Sequence, residues 1–299
     1  MILITGGTGF VGNEVVRLLI KKKKRVRLLV RDAKKARKLF PRADIIQGEL
    51  TDKRIIREAL KGVGKVMHLA GMVSYKASWN DLYNTNVLLT KNLLDEAKKA
   101  KVKKFIFSSS VGVYGHQEGL VTEKSPVKHT TLYGKSKYQA EQLLAKSGLP
   151  YVAFRIAPVF GAGSTAWIKA IRMFDKGFGI PQTDNKTHMI HVSDVAGAFY
   201  LALNKGRGVY NIAGKSQVSV MSLCSKIIKN LGKPYKTVPF WLAKILVAFA
   251  GASGDFNAFV QQRHYDYSNA KKELGYKPKA VFDKEVERMV EWYLNLKER

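Results

Sequence analysis

The sequence predicts an α/β fold: a doubly wound parallel sheet followed by a smaller, mostly helical C-terminal lobe. Three observations predict it. Short apolar runs alternate with longer helical ones through Ile156, the pattern of a sheet with helices on both faces. The runs are apolar almost without a break, as strands covered on both sides must be. The chain also opens MILITGGTGFVG, in which a strand passes straight into a glycine-rich turn and then a helix.

Each element follows in order. ILIT is the first strand, with a helix expected over Gly9–Ile20. RVRLLV precedes a helix over Ala33–Phe40, and ADIIQG precedes one over Lys53–Leu60. KVMHLA leads through a loop to a long helix near Asn80–Ala100, and KFIFSSS to one over Leu132–Ser147. YVAFRI then closes the regular alternation. Beyond it Gly and Pro become frequent, in APVFGAG and KGFGIPQ. A helix over Asp194–Leu203 and the strand GVYNIA are placed to return to the sheet. The expected division is a large domain over 1–160 with return segments near 188–213, and a lobe made mainly of 161–299. PFWLAKILVAFAGA (Pro239–Ala252) is too short to span a membrane and carries Lys244 near its middle. It is expected as a buried lobe helix. The wall of an apolar pocket and an interfacial helix are the alternatives.

Of the 299 residues, 46% are hydrophobic and 10% aromatic, in the range of a globular enzyme. One cysteine, Cys224, permits no internal disulfide. The first residues read as a buried strand rather than a signal peptide, so the expected location is cytoplasmic. The net charge is +29, much of it in lysine runs at Lys21–Lys24, around Lys34 and from Lys98 to Lys104. Solvated helix ends account for such runs. A polyanionic partner, peripheral contact with an acidic membrane, and steering of an anionic substrate are the sharper readings. No aromatic–basic interleaving of a nucleic-acid module is visible, so nucleic acid is not an expected partner. His188 and His191 are the closely spaced histidine pair. With one cysteine and no His-Glu cluster, no zinc site is expected.

The opening turn is built for an anion. Gly6 permits the tight turn, Gly9 lets a pyrophosphate approach the helix N-terminus, and Gly12 lets the helix pack on the strand. The next strand ends LLVRD, where the adenosine ribose is read. Arg31 favours the 2′-phosphate of NADP through charge-assisted hydrogen bonds. Asp32 reading the 2′-hydroxyl of NAD is the alternative. Further on, TLYGKSKYQAE places Tyr133 and Lys137 four residues apart, on one helix face. A nearby ammonium favours the phenolate and suits the tyrosine to proton transfer. FIFSSSVGVYG ends a strand in Ser108, Ser109 and Ser110. Ligands bind outside such strand ends, where a hydroxyl can hold a substrate oxygen as charge develops.

The stretches TGGTGFVG, GELTD, VMHLAG, LYNTNVLLTKNLLDEA, FIFSSSVGVYG, YGKSK, FRIAPVFG, HVSDVAGAF, VYNIAG and KKELGYKP run nearly the length of the chain. In that order they resemble an extended short-chain dehydrogenase/reductase of the NAD-dependent epimerase/dehydratase family, which has a Rossmann fold. The resemblance implies Ser110, Tyr133 and Lys137 as the catalytic set, with Asn86 in support. It implies cofactor contacts at Gly6, Gly9, Phe10, Val11 and Gly12, at Arg31, at Leu69, Ala70 and Gly71, at Ser108, and at Pro158 and Val159. Glu49 and Leu50 stand where the family has Asp-Leu beside the adenine, and Glu49 departs from that pattern.

Val111 and Gly112 follow Ser110 where family dehydratases carry Asp-Glu, so a sugar dehydratase is disfavoured. RIAPVFG lacks the asparagine of many nucleotide-sugar epimerases and looks more like the dihydroflavonol-reductase and 3β-hydroxysteroid-dehydrogenase branch. The expectation is an NAD(P)-dependent oxidoreductase, NADP favoured, acting on a small-molecule carbonyl or secondary alcohol, with a homodimer implied by resemblance alone. A nucleotide-sugar epimerase with tightly held NAD is the alternative, and a non-catalytic nucleotide sensor or polyanion binder comes after it.

Overall fold

A computed structural model describes residues 1–183, 185–249 and 262–298. Seven strands form one parallel sheet. In chain order its first five are β1 (Ile2–Thr5), β2 (Val26–Val30), β3 (Asp44–Gln47), β4 (Lys65–His68) and β5 (Lys104–Ser110). The short β6 (Leu120–Val121) lies outside it, and the sheet resumes with β7 (Tyr151–Ile156). Four further short strands follow outside it: β8 (Val159–Phe160), β9 (Ile180–Pro181), β10 (Lys186–His188) and β11 (Ile190–His191). β12 (Gly208–Ile212) then completes the order β12-β7-β5-β4-β1-β2-β3. The order reverses between β1 and β4, which opens a crevice at their carboxyl ends.

The period-2 alternation of each strand divides its side chains between two cores. Ile2, Ile4, Leu28, Ile106 and Phe154 face one; Leu3, Leu29, Phe105, Phe107 and Ala153 face the other. Helices α1 (Phe10–Lys21) and α2 (Ala33–Leu39) cover the first, with α3 (Lys53–Leu60) on the second. The long helix expected near Asn80–Ala100 is α4 (Trp79–Leu82), a π-helical turn Tyr83–Leu88, and α5 (Leu89–Lys99). The π turn adds a residue per hydrogen-bonded loop, a local feature that side-chain periodicity does not announce. α6 (Leu132–Lys146) follows β5.

In the lobe, α7 (Thr165–Asp175) packs with α9 (Val220–Asn230) and the last described helix, Phe282–Lys297. Between α7 and α9, α8 (Val192–Leu201) returns against α1 on the sheet, beginning two residues before the expected Asp194 because His191 caps it. β13 (Gln217–Ser219), β14 (Thr237–Val238) and β15 (His264–Tyr265) pair with β10, β9 and β6, so the lobe carries small strand pairs as well as helices. Tyr265, Ala270, Leu274 and Tyr276 pack into the first core of the sheet. Cys224 is buried in the lobe, where burial pushes its thiol up to about 12.

The described part of Pro239–Ala252 is α10 (Phe240–Phe249); residues 250–252 lie outside the described residues. Ala243 is buried, but Trp241 is 65% exposed and Ile245 is exposed too, so this face is not the buried helix expected. Its near-uniform apolarity gives no phase from which a buried side could be told. No helix among the described residues is long and apolar enough to cross a membrane.

One buried charge pair ties α6 to the sheet. Arg155 of β7 donates from Nη2 to Glu141 Oε2 at 2.7 Å and from Nε to both carboxylate oxygens. Ser109 of β5 donates to the same carboxylate, and Arg155 Nη1 donates to the Tyr114 hydroxyl at 3.0 Å. Removing one partner of such a pair strands the other charge away from water, at about 3–5 kcal/mol. Glu141→Gln is therefore expected to lower unfolding free energy by about that much in urea. The double replacement Glu141→Leu with Arg155→Met is expected to cost less than either single change. A single change that leaves the urea midpoint unmoved would contradict the pair's role.

Candidate functional site

The glycine turn after β1 has the geometry an anion site needs. Gly6 has φ +73°, and a Cβ there would lie 2.5 Å from the Ala70 nitrogen. A Cβ on Gly12 would lie 2.1 Å from the Gly6 carbonyl oxygen. No side chain larger than hydrogen fits either position, so the turns after β1 and β4 touch through backbone at the point where the strand order reverses. Side chains cap α2, α3, α6 and α7, from Asp32, Asp52, Thr131 and Ser164. α1 begins at Gly9 with no side-chain cap. Its first N–H groups and the positive end of its dipole face the crevice. Phe10 lies under the loop after β8, where a Cβ on Gly163 would come within 3.5 Å of its ring, and Val11 follows on the same first turn.

At the end of β2, Asp32 accepts a hydrogen bond from the Lys35 backbone nitrogen at 2.8 Å. The carboxylate is thus engaged in capping α2, while Arg31 beside it is exposed. Glu49 is exposed and accepts from Thr51, whereas Leu50 is buried and its carbonyl accepts from Asn92 at 3.1 Å. Arg31 stands three strands from Ser110 in the sheet order, roughly 14 Å across. The two ends of the predicted set are therefore separated along the crevice rather than clustered.

The candidate chemical end lies where β5 meets α6. Ser110 closes β5 and accepts from the Gly112 nitrogen at 3.0 Å. Ser110 Oγ and the Tyr133 ring both border Gly112, where a Cβ would lie 3.3 Å from the one and 3.7 Å from the other. Thr131 caps α6 by accepting from the Gly134 nitrogen at 3.0 Å. Gly134 itself lets the helix come close, since a Cβ there would lie 2.3 Å from the Gly112 carbonyl oxygen. That approach carries Tyr133 to Ser110. Lys137, one turn on, donates to the Ser108 carbonyl at 2.8 Å and lies 4.9 Å from the centre of the Phe107 ring. Asn86, on the π turn, is buried. It donates to the Met72 carbonyl and to Ser136, each at 2.9 Å, and accepts from the Met72 nitrogen at 2.7 Å. Gly71 sits between Asn86 and Lys137, where a Cβ would lie 2.9 Å from Asn86 Oδ1 and 3.1 Å from Lys137 Nζ. Leu69 closes the β4 turn by donating to the Thr5 carbonyl at 3.1 Å. The Pro158 carbonyl accepts from Ile190, and that of Val159 from the Trp167 ring at 3.2 Å. Those bonds fasten the Pro158–Val159 segment to the lobe.

Burial sets the protonation of this corner. It pushes the Tyr133 phenol above its ordinary range; the nearby Ser110 hydroxyl opposes this and neighbouring Tyr75 adds to it. Burial also brings the Lys137 ammonium down to about 8, against the pull of Glu141. His68 is fully buried between Thr5 (2.6 Å) and Thr90 (2.9 Å), and burial, with Lys137 nearby, takes it down to about 3. It is a neutral strut.

Several residues here carried no assignment from the sequence. Glu141 lies four residues after Lys137, as Lys137 does after Tyr133, and that repeat could have revealed it. His68 was visible in VMHLAG but had no chemical signature. Tyr75, whose ring meets Tyr133 edge-to-face at 6.0 Å, lies on an irregular loop with no periodicity to mark it.

The depressed Lys137 fixes a sign. Between about 8 and its ordinary 10.5 the folded chain has released a proton that the unfolded chain still holds, so stability contributed by this group rises with pH through that window. Urea unfolding at a series of pH values is expected to show the rise in the parent protein and its loss in Lys137→Met. A parent and variant with parallel profiles would count against a buried, titrating lysine.

Comparison with known proteins adds the relatives. The model of the NAD dependent epimerase/dehydratase family matches residues 2–213. The chain is 30% identical to NAD(P)H azoreductase of Xenophilus azovorans, over 84% of this chain and 81% of that one. It is 24% identical to 3beta-hydroxysteroid-dehydrogenase/decarboxylase isoform 2 of Arabidopsis thaliana, over 98% of this chain and 62% of that one. Its fold is that of UDP-glucuronic acid 4-epimerase from Bacillus cereus, a structure that holds NAD, with TM-score 0.83, 22% identity and 99% of each chain covered.

Proposed function

This chain belongs to the NAD dependent epimerase/dehydratase family, and from that premise we propose that it is a reductase that exchanges its nicotinamide cofactor and works through Ser110, Tyr133 and Lys137. The observation that carries the reading is the convergence of Ser110 and Tyr133 on Gly112 at the end of β5, with Lys137 one turn further along α6. Both hydroxyls stand outside the carboxyl end of a central strand, beside the uncapped start of α1.

The bound nicotinamide supplies or accepts the hydride. Ser110 holds the substrate oxygen, and Tyr133 gives or takes the proton at that oxygen. Lys137 steadies the phenolate that results and anchors the nicotinamide ribose. Asn86 keeps the turn at Met72 and the start of α6 in register, so Lys137 and Tyr133 meet the substrate in a fixed relation. The first-turn N–H groups of α1 receive the pyrophosphate. Exposed Arg31 receives the 2′-phosphate of NADP, because the neighbouring Asp32 carboxylate is engaged in the cap of α2.

A second reading is supported by the matching fold of an epimerase that holds NAD. In it the same residues oxidise a ring hydroxyl of a nucleotide sugar and return the hydride to the other face.

Tyr133→Phe is expected to lower turnover about a thousandfold, within the usual worth of a positioned proton donor, while NADPH affinity stays near the parent value; unimpaired turnover would remove Tyr133 from the chemistry. Arg31→Ala is expected to weaken NADPH binding by roughly 10–100-fold, the worth of hydrogen bonds to a charged group, and to leave NADH binding unchanged. Fluorescence titration of the two nucleotides reads this directly. Mass spectrometry of nucleotide released on denaturation separates the two readings. Stoichiometric retained NAD would favour the epimerase, and an empty protein that prefers NADPH would favour the reductase.

A further inference from the structure

Three segments distant in sequence meet at one corner of the lobe. α7 ends at Asp175 and the chain folds back through Gly177 (φ +87°), the Phe178 nitrogen donating to the Met173 carbonyl at 3.1 Å. β9 and β14 pair in parallel with Ile180 opposite Thr237. Phe178 and Tyr235, each two residues earlier, therefore enter the pair side by side. The last described helix completes the corner with Leu296 and Lys297.

These segments enclose a cleft of about 530 Å³ lined by Arg172, Lys176, Lys233 and Lys297, with Asp175 as the acid among the described residues that line it. Asp175 is held in place. It accepts from the Tyr293 hydroxyl at 2.9 Å and from Lys297 at 2.8 Å, and its other oxygen lies 3.5 Å from Lys233. One carboxylate offsets one of four cations, so the cleft keeps a positive surplus. Beside it Phe178 is 56% exposed, Tyr235 51% and Met173 49%.

Cations around a cleft, flanked by aromatic and aliphatic side chains that face water, match the chemistry of a bilayer interface. Lysines meet anionic headgroups while apolar side chains enter the acyl boundary. A nucleic-acid strand fits less well: Phe178 and Tyr235 can each stack a base, but the exposed Met173 and Leu296 beside them are aliphatic and suit acyl chains better. We propose that this corner docks on an anionic phospholipid bilayer, the cleft taking a headgroup phosphate while Phe178 and Tyr235 enter the interface. The docking face is thus separate from the residues of the crevice.

The test is co-sedimentation of the full chain with vesicles of phosphatidylcholine alone and of phosphatidylcholine mixed with phosphatidylglycerol. The parent is expected to pellet with the mixed vesicles and not with phosphatidylcholine alone. Arg172→Gln with Lys176→Gln and Lys233→Gln is expected to weaken vesicle binding about a hundredfold, from roughly fivefold per charge near an anionic surface. Phe178→Ser with Tyr235→Ser is expected to weaken it as well. None of these residues touches the crevice, so turnover and melting temperature are expected to stay at parent values. Lys23→Gln with Lys24→Gln and Lys103→Gln, at the amino ends of the sheet strands, is the charge-matched control and is expected to bind as the parent does. The proposal is overturned if the parent ignores mixed vesicles, if the control loses as much as the lobe variant, or if the lobe variant loses an oligonucleotide instead of vesicles.

Discussion

Glu141 and Arg155 meet away from water with a nitrogen–oxygen distance of 2.7 Å, and the rest of the site hangs on that contact. Glu141 belongs to the helix that carries Tyr133 and Lys137. Arg155 belongs to the sheet strand next to the one that ends in Ser110. Two buried charges tolerate little misalignment, because each lost hydrogen bond leaves an ion unpaired in a poorly solvating interior. The pair therefore fixes where α6 sits along the sheet. Gly134 against the Gly112 carbonyl fixes how near it sits. Together they place a phenol beside a serine hydroxyl, which no local preference of either segment would do.

The same burial that positions these groups also tunes them. Lys137 is brought down to about 8 and His68 to about 3, and the Tyr133 phenol is pushed up. In all three the interior favours the neutral form. Glu141 is the counterweight that keeps Lys137 from falling further. The buried anion thus serves two ends, holding the helix and sustaining the charge of Lys137.

The large positive charge divides by location. Some of it lies at the amino ends of the sheet strands, where Lys23 and Lys101 occupy left-handed backbone at helix ends, positions that glycine takes more cheaply. In the lobe, by contrast, cations gather around a cleft with exposed aromatic side chains beside it. Net charge alone could not tell these apart, since it reports how many cations there are and not which of them share a face.

Period-2 and 3.6-residue patterns with glycine at the turns are local properties, so the strands and helices through Ile156 were legible from the chain, and the family with them. The glycines after β1, the Tyr133–Lys137 spacing and the serines closing β5 were legible for the same reason: each is a short motif with its context alongside. The π turn under Asn86, the ring of Tyr75 against Tyr133 and the exposure of Trp241 were not, because nothing within a few residues specifies them. The sequence by itself determined the class of fold and the candidate chemistry. Tertiary structure alone decided that Glu141 pairs with Arg155, that Asp32 caps a helix beside an exposed Arg31, and that Lys176, Lys233 and Lys297 converge on one cleft. Those outcomes depend on which distant segments pack together and on how much water the packing excludes, and both are properties of the folded whole.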